Sequence, residues 1–382
     1  MKKRIILLGA TGSIGSQTLE VLRQHPDVFE LVGVSCGHQE DRLKEIVREF
    51  PSVKAVSLTE ANQDWEIPVY TGEDHMKQLL QNTEYDLLVN AAVGFRGLEP
   101  TLTALEAGKD VALANKESLV AGGPLVKKVL ARTKTKLYPI DSEHSAIWQC
   151  LQGNDAKNVR RLIITASGGS FRDRSRQKLT DVTPAQALKH PNWNMGKRIT
   201  IDSATMVNKG FEVMEAHYLF DVPFDRIDTV LHPESIVHSM VEYRDHAVMA
   251  QLGSADMKIP IQYALFHPDR PVLVEEKPLN MADTLDLHFR RMDFERFPIL
   301  KTAYETGARG GNGGAVFNGA DEEAVSQFLN GSIGFLQIED AIRYALERVP
   351  FIADPDFAQL KESDRLAREA VKSGIACSFQ VE

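Results

Sequence analysis

The chain of 382 residues has few cysteines and no long apolar run, and each absence excludes a class of protein. Cys36, Cys150 and Cys377 show no C-x-x-C spacing, which excludes a disulfide framework and a cysteine-ligated zinc site. No stretch of about 18 apolar residues is present, so we expect no transmembrane helix. The apolar run Ile5–Leu8 is too short for a signal peptide and predicts a buried first strand. We therefore expect a cytoplasmic protein.

The chain also lacks an excess of positive charge. Lysine and arginine number 44 against 53 acidic residues, so the net charge is -9. This balance argues against nucleic acid and against an anionic membrane surface as partners, and a phosphorylated ligand must be bound by local donors. The composition, 43% hydrophobic and 25% charged, is typical of a globular protein, and the length predicts two or three domains.

Residues 1–140 predict an α/β domain, a Rossmann-type doubly wound parallel sheet with helices on both faces. The predicted strands are Ile5–Leu8, Leu31–Ser35, Leu87–Asn90, Val111–Ala114 and Lys136–Ile140. The predicted helices are Ser13–Arg23, Leu43–Phe50, Leu98–Ala107 and Leu125–Ala131.

Residues 141–267 predict a central α/β domain with strands at Val159–Thr165, Leu231–Val241 and Ala247–Leu252. Within it, residues 168–197 form a stretch rich in Gly, Ser, Pro and Arg that is long enough to be a flexible lid.

The remaining chain predicts a connector and a helical domain. Residues 268–299 contain four prolines and little periodicity. Residues 300–382 predict a C-terminal helical domain from patterns such as Ala324–Leu329 and Ile338–Glu347.

A glycine-rich turn follows the first strand. Gly9-Ala10-Thr11-Gly12-Ser13-Ile14-Gly15 lies between a strand and a helix, so its backbone N–H groups and the helix N-terminus predict a dinucleotide site. The second strand ends without an acid to hold a ribose 2′-hydroxyl. His38, Gln39 or Arg42 can instead meet a 2′-phosphate, which favours NADP. Glu40 and Asp41 follow, and one alternative for them is that they are solvated acids at the start of a helix.

Asp141-Ser142-Glu143-His144 follows the strand Lys136–Ile140. Two carboxylates at this position can bind a hard divalent cation such as Mg²⁺ or Mn²⁺. The alternative is a helix start in which Asp141 or Ser142 is the cap. Either Glu212 or Glu215, on a predicted helix, is available as a further ligand, and spacing alone does not choose between them.

Two further segments offer groups that bind anions. Ser167-Gly168-Gly169-Ser170 follows a strand as a glycine-flanked pair of hydroxyls, and the segment from Ser203 to Lys209 adds hydroxyl, amide and ammonium donors before a helix. Trp193, in His190-Pro191-Asn192-Trp193, either covers a substrate or anchors the loop on the core.

The sequence excludes one other class of NADP-binding protein but leaves two open. A short-chain dehydrogenase needs a lysine four residues after a tyrosine, and none of the eight tyrosines has one. Another NADP-dependent dehydrogenase of a small phosphorylated or semialdehyde substrate stays open. So does a non-enzymatic NADP-sensing protein, which would bind nucleotide without needing Asp141 and Glu143.

Taken together, these motifs resemble the 1-deoxy-D-xylulose 5-phosphate reductoisomerase family. The segments G-A-T-G-S-I-G, L-A-N-K-E-S, D-S-E-H, A-S-G-G-S-F, H-P-N-W and D-S-A-T-M-V-N-K-G-F-E occur in the family's order. The resemblance implies that residues 141–267 are the catalytic domain and that a homodimer forms through it. It also implies that the enzyme uses NADPH and Mn²⁺ or Mg²⁺. Its reaction would isomerise and reduce 1-deoxy-D-xylulose 5-phosphate to 2-C-methyl-D-erythritol 4-phosphate in non-mevalonate isoprenoid biosynthesis.

The resemblance also implies roles for single residues. The metal ligands would be Asp141, Glu143 and Glu212, and Lys116 and His190 would join them as catalytic residues. The cofactor positions would be Thr11, Gly12, Ser13, Ile14, Gly37, His38, Gln39, Asn115, Glu117 and Gly196. The substrate positions would be Lys116, Ser142, Glu143, Ser167, His190, Trp193, Ser203, Asn208, Lys209 and Glu212.

Two segments depart from the family's pattern. Lys or Arg then Asn usually follows Gly37, where this chain has His38 and Gln39, which predicts a weaker 2′-phosphate contact. A family N-A-A-N-E segment reads Asn318-Gly319-Ala320-Asp321-Glu322, and we interpret this region as remote from the catalytic motifs.

Overall fold

The computed structural model describes residues 1–193, 195–273, 278–282 and 286–379. Asn194 of the predicted lid, residues 274–277 and 283–285 of the predicted connector, and residues 380–382 of the predicted helical domain lie outside the described residues. The chain forms two units. The first comprises 1–118, 125–145 and 256–276, and the second comprises 119–124, 146–255 and 277–382.

The first unit contains the predicted parallel sheet. Its seven strands are all parallel, in the order β4-β3-β2-β1-β5-β6-β7. They are β1 (Lys3–Leu8), β2 (Phe29–Ser35), β3 (Ala55–Ser57), β4 (Val69–Tyr70), β5 (Leu87–Asn90), β6 (Asp110–Leu113) and β7 (Leu137–Pro139). The strand order turns back at β1, which is the switch point where such folds bind ligands at the carboxyl ends of the strands.

Burial explains why these segments form a parallel sheet. Ile5, Ile6, Leu7 and Leu8 have no exposed surface, as expected for a central strand covered on both faces. The helices of the chain up to the second sheet are α1 (Ser13–Gln24), α2 (Glu40–Glu49), α3 (His75–Asn82), α4 (Leu98–Glu106), α5 (Glu117–Thr133) and α6 (Ser142–Leu151). Each predicted strand and helix of residues 1–140 is present. Most ends differ by a few residues, but α5 begins eight residues before the predicted start at Leu125. The elements β3, β4 and α3 were not predicted.

The second unit contains a five-stranded mixed sheet in the order β11-β10-β8-β9-β12. Its strands are β8 (Val159–Ala166), β9 (Ile227–Leu231), β10 (Val237–Tyr243), β11 (Val248–Leu252) and β12 (Arg290–Arg291). β8 and β9 are parallel, and β10 is antiparallel to both β8 and β11.

The single strand predicted at Leu231–Val241 is wrong, because β9 ends and β10 begins within it. Pro233 has no N–H to donate to a ladder, and Ser235 has a φ of 55°, which a strand cannot contain. The Ser235 N–H donates instead to the His232 carbonyl, which makes a turn.

The second unit also contains seven further helices among the described residues. They are α7 (Pro184–Ala187), α8 (Lys197–Thr205), α9 (Val207–Phe220), α11 (Pro298–Arg309), α12 (Gly313–Leu329), α13 (Gln337–Arg348) and α14 (Phe357–Gly374), while α10 (Lys258–Phe266) belongs to the first unit. Phe211 of α9 packs edge-on against Phe317 of α12, with 5.7 Å between ring centroids. The predicted helices at 324–329 and 338–347 are parts of α12 and α13.

The first part of the predicted lid is anchored in this helical core. Phe171, Leu179, Val182 and Ala187 are all buried in it. The Arg176 guanidinium also donates two hydrogen bonds to the Glu339 carboxylate, at 2.7 and 3.1 Å. Movement of residues 168–197 as a lid stays a prediction. A movement that includes the first part of this segment would have to break these contacts.

A close approach between α9 and α11 depends on one glycine, and substituting it tests the packing. A Cβ added to Gly210 would lie 2.5 Å from the Ala303 Cβ. We expect Gly210→Ala to lower the free energy of unfolding by about 1–3 kcal/mol, because overpacked cores must shift backbone. Denaturant unfolding measures this. Gly334→Ala is the control, because its added Cβ would meet neighbours only at 3.5 Å or more. Equal stability of the two variants would contradict the prediction.

Candidate functional site

The glycine-rich turn closes tightly at the end of β1. Gly9 has a φ of 72°, and an added Cβ would lie 2.2 Å from the Ala91 carbonyl oxygen. A Cβ on Gly15 would lie 2.2 Å from the Gly9 carbonyl oxygen. Gly12 precedes α1 and has no side chain to cap it, so the first N–H groups of α1 can donate to a phosphate. Thr11, Gly12, Ser13 and Ile14 all have solvent-accessible surface at this helix start.

The end of β2 does not present an acid to a ligand. Glu40, 7% exposed, accepts hydrogen bonds from the N–H groups of Asn62 at 2.9 Å and Gln63 at 3.2 Å, and from the Trp65 indole at 2.9 Å. Burial opposes ionisation of Glu40, but these donors outweigh it and lower its pKa. The alternative that Glu40 is a solvated acid is therefore wrong, because the side chain anchors the loop at 62–65.

The neighbouring residues Gly37, His38 and Gln39 are exposed. Nothing lies within 4 Å of a Cβ added to Gly37. This end of the sheet therefore leaves room for a cofactor phosphate, with an imidazole and an amide beside it.

Asn115 and Glu117 shape the loop that follows β5. The Asn115 amide donates to the carbonyls of Ala92 and Gly94, both at 3.0 Å, and to the Glu117 carboxylate at 2.9 Å. The Glu117 carboxylate also accepts from the Gly94 N–H at 3.1 Å. These predicted cofactor residues are buried, so in this unit they act by fixing the backbone beside the glycine-rich turn.

The acidic segment follows β7 and opens α6. The Asp141 and Glu143 carboxylates each offer an oxygen within 4.8 Å of the other. The Lys116 ammonium lies 2.7 Å from Asp141 Oδ2. Burial opposes ionisation of Asp141, but Lys116 and then His144 outweigh it and hold the pKa of Asp141 well below its usual range. Ser142 donates its hydroxyl to Glu143. This arrangement keeps negatively charged oxygens together at the carboxyl edge of the sheet, as a hard cation requires.

In the second unit, α9 carries Asn208, Lys209 and Glu212. Glu212 is 1% exposed and accepts hydrogen bonds from both the Asn208 amide and the Lys209 ammonium. Lys209, 3% exposed, also donates to the Thr165 carbonyl at the end of β8. The predicted phosphate ligand Lys209 thus also holds the predicted metal ligand Glu212 in place. Glu215 is buried on the same helix.

Ser167 and His190 form a hydrogen-bonded pair of defined polarity. His190 Nδ1 accepts from the N–H groups of Asn192 at 3.2 Å and Trp193 at 3.0 Å, so its proton resides on Nε2 when the ring is neutral. Nε2 lies 3.1 Å from Ser167 Oγ, which also accepts from the Gly169 N–H at 3.2 Å. Since Ser167 accepts both bonds, its hydroxyl hydrogen is directed to a further acceptor, such as a phosphate oxygen.

The turn at 167–170 packs closely against α8. A Cβ added to Gly169 would lie 2.5 Å from the Ser203 carbonyl oxygen, so the turn brings Ser167 beside the helix that carries Ser203. Gly196 is the residue before α8 and is exposed. Trp193 is half-buried, with its ring centroid 6.2 Å from that of His238.

The predicted residues thus fall into two sets. The first unit holds Thr11, Gly12, Ser13, Ile14, Gly37, His38, Gln39, Asn115, Lys116, Glu117, Asp141, Ser142 and Glu143. The second unit holds Ser167, His190, Trp193, Gly196, Ser203, Asn208, Lys209 and Glu212.

Sequence reasoning missed Arg198 and misjudged the segment at 318–322. Arg198 of α8 forms ion pairs with Asp321 at 2.9 Å and Glu322 at 2.8 Å. The segment is therefore in direct contact with the helix that carries Ser203, and the interpretation of it as remote is wrong. The only sequence signal was the opposite charge at Arg198 and Asp202, four residues apart on a helix.

The Ser167–His190 pair predicts a neutral imidazole at moderately acidic pH. Burial and the nearby Arg172 guanidinium lower the pKa of His190 to about 4. Because the folded pKa lies below the unfolded value of about 6.5, this group's contribution to stability is complete above pH 6.5 and is lost as the pH falls towards 4. We expect ¹⁵N NMR at pH 6 to find a neutral ring protonated on Nε2. The His190→Gln spectrum assigns the signal, and a charged ring at pH 6 would refute the arrangement.

Sequence comparisons place the chain among known proteins. The model of 1-deoxy-D-xylulose 5-phosphate reductoisomerase matches residues 5–123, and two models of its C-terminal domain match 137–220 and 252–370. The reductoisomerase of Bacillus subtilis (strain 168) is 50% identical over 379 residues, covering 97% of this chain and 99% of that relative. That of Geobacillus sp. (strain WCH70) is 50% identical over 378 residues, with 97% and 99% coverage.

Solved structures agree with this result. The reductoisomerase from Zymomonas mobilis in complex with NADPH has a TM-score of 0.90 at 35% identity, covering 98% of this chain and 99% of that one. A reductoisomerase in complex with NADPH, fosmidomycin and magnesium has a TM-score of 0.94 at 34% identity and covers 100% of both chains. Across nearly its whole length, therefore, the chain belongs to the 1-deoxy-D-xylulose 5-phosphate reductoisomerase family.

Proposed function

We propose that this chain catalyses the NADPH- and metal-dependent isomerisation and reduction of 1-deoxy-D-xylulose 5-phosphate to 2-C-methyl-D-erythritol 4-phosphate, within non-mevalonate isoprenoid biosynthesis. The observation that carries the proposal is the 50% identity to named reductoisomerases over 97% of the chain. The NADPH and magnesium named with the related structures support the same cofactors for this chain.

The glycine-rich turn fits NADPH. Its close contacts at Gly9 and Gly15 exclude side chains, and the start of α1 directs N–H groups outward. When bound, NADPH supplies the reducing equivalents of the reaction. Within the proposed cofactor site, Thr11, Gly12, Ser13 and Ile14 bind the pyrophosphate, Gly37, His38 and Gln39 meet the 2′-phosphate, and Asn115, Glu117 and Gly196 flank the nicotinamide half.

The metal ligands in this proposal are Asp141, Glu143 and Glu212. All three are carboxylates, the donors preferred by Mg²⁺ and Mn²⁺. Lys116 supports this role because it stabilises the ionised form of Asp141, and Lys209 and Asn208 orient Glu212. When bound, the ion polarises substrate oxygens as a Lewis acid and stabilises negative charge that develops on them.

The substrate phosphate is assigned to donors of the second unit. Ser167 and Ser203 offer hydroxyls, Asn208 an amide and Lys209 a positive charge. His190 orients the Ser167 hydroxyl by donating to its oxygen. The remaining substrate roles go to Lys116, Ser142, Glu143 and Glu212 near the reacting carbons and to Trp193, whose ring excludes water.

An exposed edge strand supports a homodimer. β11 is the last strand of the second sheet, and Val248 and Met249 on it are 50% and 49% exposed. An apolar strand with unpaired backbone groups is a surface on which another chain can pair.

No helix among the described residues meets the length and apolarity needed to cross a bilayer. The three free cysteines support a cytoplasmic location.

The activity is tested by following NADPH absorbance with 1-deoxy-D-xylulose 5-phosphate, with Mn²⁺ or with a chelator. We expect oxidation that needs both substrate and metal. Glu143→Gln and Asp141→Asn should each lower turnover about 10²–10³-fold, because charge stabilisation at the reacting oxygens is lost, and leave NADPH affinity unchanged. Glu84→Gln, which changes an exposed carboxylate, is the control.

Two outcomes would overturn the proposed activity, and a third would overturn one ligand assignment. Oxidation that survives chelation indicates a metal-independent dehydrogenase. NADPH binding without oxidation indicates a sensing protein. Near-normal turnover in Glu143→Gln removes that residue from the metal site.

The edge strand predicts the oligomeric state. Met249→Lys places a charge on the apolar edge, so we expect the dimer to dissociate at concentrations where the unsubstituted protein stays dimeric. Sedimentation velocity measures the shift. Val272→Lys, at a 79% exposed position in the other unit, is the matched control. If Met249→Lys associates as tightly as the control, β11 is not the interface.

A further inference from the structure

Arg198 lies in the first turn of α8 and makes hydrogen bonds to α12. Its guanidinium donates to Asn318 Oδ1 at 2.9 Å, to Asp321 Oδ2 at 2.9 and 3.3 Å, and to Glu322 Oε1 at 2.8 Å. The guanidinium also lies over the Phe211 ring, 5.7 Å from its centroid. A planar group held at several nitrogens fixes both the position and the rotation of the helix that carries it.

Helix α14 holds the acidic side of this contact. Arg368 donates to Glu322 Oε2 at 2.6 Å and to Asp364 at 2.8 and 3.1 Å. A Cβ added to Gly319 would lie 2.8 Å from Asp364 Oδ1 and 2.7 Å from its carbonyl oxygen. The glycine at this position, where the family pattern has alanine, is therefore needed for Asp364 to sit where it does.

Asp321 is the second departure from the family pattern, and it has no exposed surface. A buried carboxylate is costly unless it is paired, and Arg198 pairs with it. Both departures in the segment at 318–322 thus serve the same contact with α8.

The geometry of α8 links the contact of Arg198 to Ser203, the predicted substrate residue on the same helix. Arg198 and Asp202 are four residues apart and lie on one face. Ser203 is five residues from Arg198, so it lies about 140° further round the helix. On that side the turn at Gly169 packs against the Ser203 backbone. A small rotation of α8 would therefore displace the Ser203 hydroxyl.

We propose that Arg198, through its contacts with Asp321 and Glu322, is a positioning residue that sets the rotation and axial position of α8 for binding of the substrate phosphate. It acts through the Ser203 hydroxyl. The proposal rests on the proposed function for the identity of the substrate, but not for the structural effect on α8.

The test compares Arg198→Met, Arg198→Lys, Asp321→Asn and the double variant Arg198→Met with Asp321→Asn. In Arg198→Met we expect the KM for 1-deoxy-D-xylulose 5-phosphate to rise about tenfold or more, since small misplacements at a site are costly, while NADPH affinity is unchanged. Arg198→Lys should recover part of the loss, because it keeps the charge without the planar fork.

The double variant separates positioning from stability. It removes the buried charge of Asp321, one of the carboxylates that Arg198 neutralises, so its Tm should recover part of the loss. Its KM should stay raised, because the contact is still absent. Recovery of KM together with Tm would overturn the proposal.

Hydrogen exchange gives a readout that does not need activity. Amides of α8 should exchange faster in the double variant, and amides of β1 should not change. The control is Arg365→Met, which removes a guanidinium that pairs with Glu362 and Glu369 on α14 alone. Unchanged exchange in α8 would overturn the proposal. If the unsubstituted enzyme does not oxidise NADPH with this substrate, the proposed function fails, and the exchange result still decides whether Arg198 positions α8.

Discussion

A buried ammonium group, that of Lys209, organises the second unit. It joins the end of β8, at the Thr165 carbonyl, to Glu212 on α9. Burying either charge alone would cost several kcal/mol, whereas the pair satisfies both, and removal of one partner of such a pair typically destabilises by about 3–5 kcal/mol. Since Ser167 follows β8 and Asn208 precedes Lys209, this single contact fixes where the hydroxyl, amide and carboxylate groups lie.

In the first unit, the parallel sheet and not a buried ion pair brings the predicted site residues together. Its strands are parallel, so their carboxyl ends share one edge, and the residues that follow β1, β2, β6 and β7 are brought there by topology. Polar side chains then fix the loops. Asn115 and Glu117 bind the backbone after β5, and Lys116 holds Asp141 in its ionised form. A residue that a motif assigns to a cofactor can therefore act indirectly, by holding in place the backbone that lies next to the cofactor.

The C-terminal helices α12 and α14 also hold residues in place, although they carry none of the predicted ligand-binding residues. Their core buries large side chains such as Phe317 and Phe328, and their charged groups at Asp321, Glu322 and Arg368 contact α8 or support that contact. The C-terminal helices thus support α8, which carries the predicted substrate residue Ser203. This agrees with the tight packing of α9 on α11 at Gly210 and Ala303, which leaves little freedom for the helix that carries Glu212.

The sequence by itself determined the class of fold and the family. Buried runs such as Ile5–Leu8 and the glycine spacing after them are local signals, because strand burial and tight turns are set by adjacent residues. The motifs also named the residues of the predicted site in order. Tertiary structure alone decided what each polar group contacts. Glu40 binds the loop at 62–65 and not solvent, Leu231–Val241 is divided by a turn, and Arg198 reaches residues more than a hundred positions away. Hydrogen bonds and ion pairs between distant segments leave no periodic pattern in either segment, so their partners are fixed only when the chain has folded.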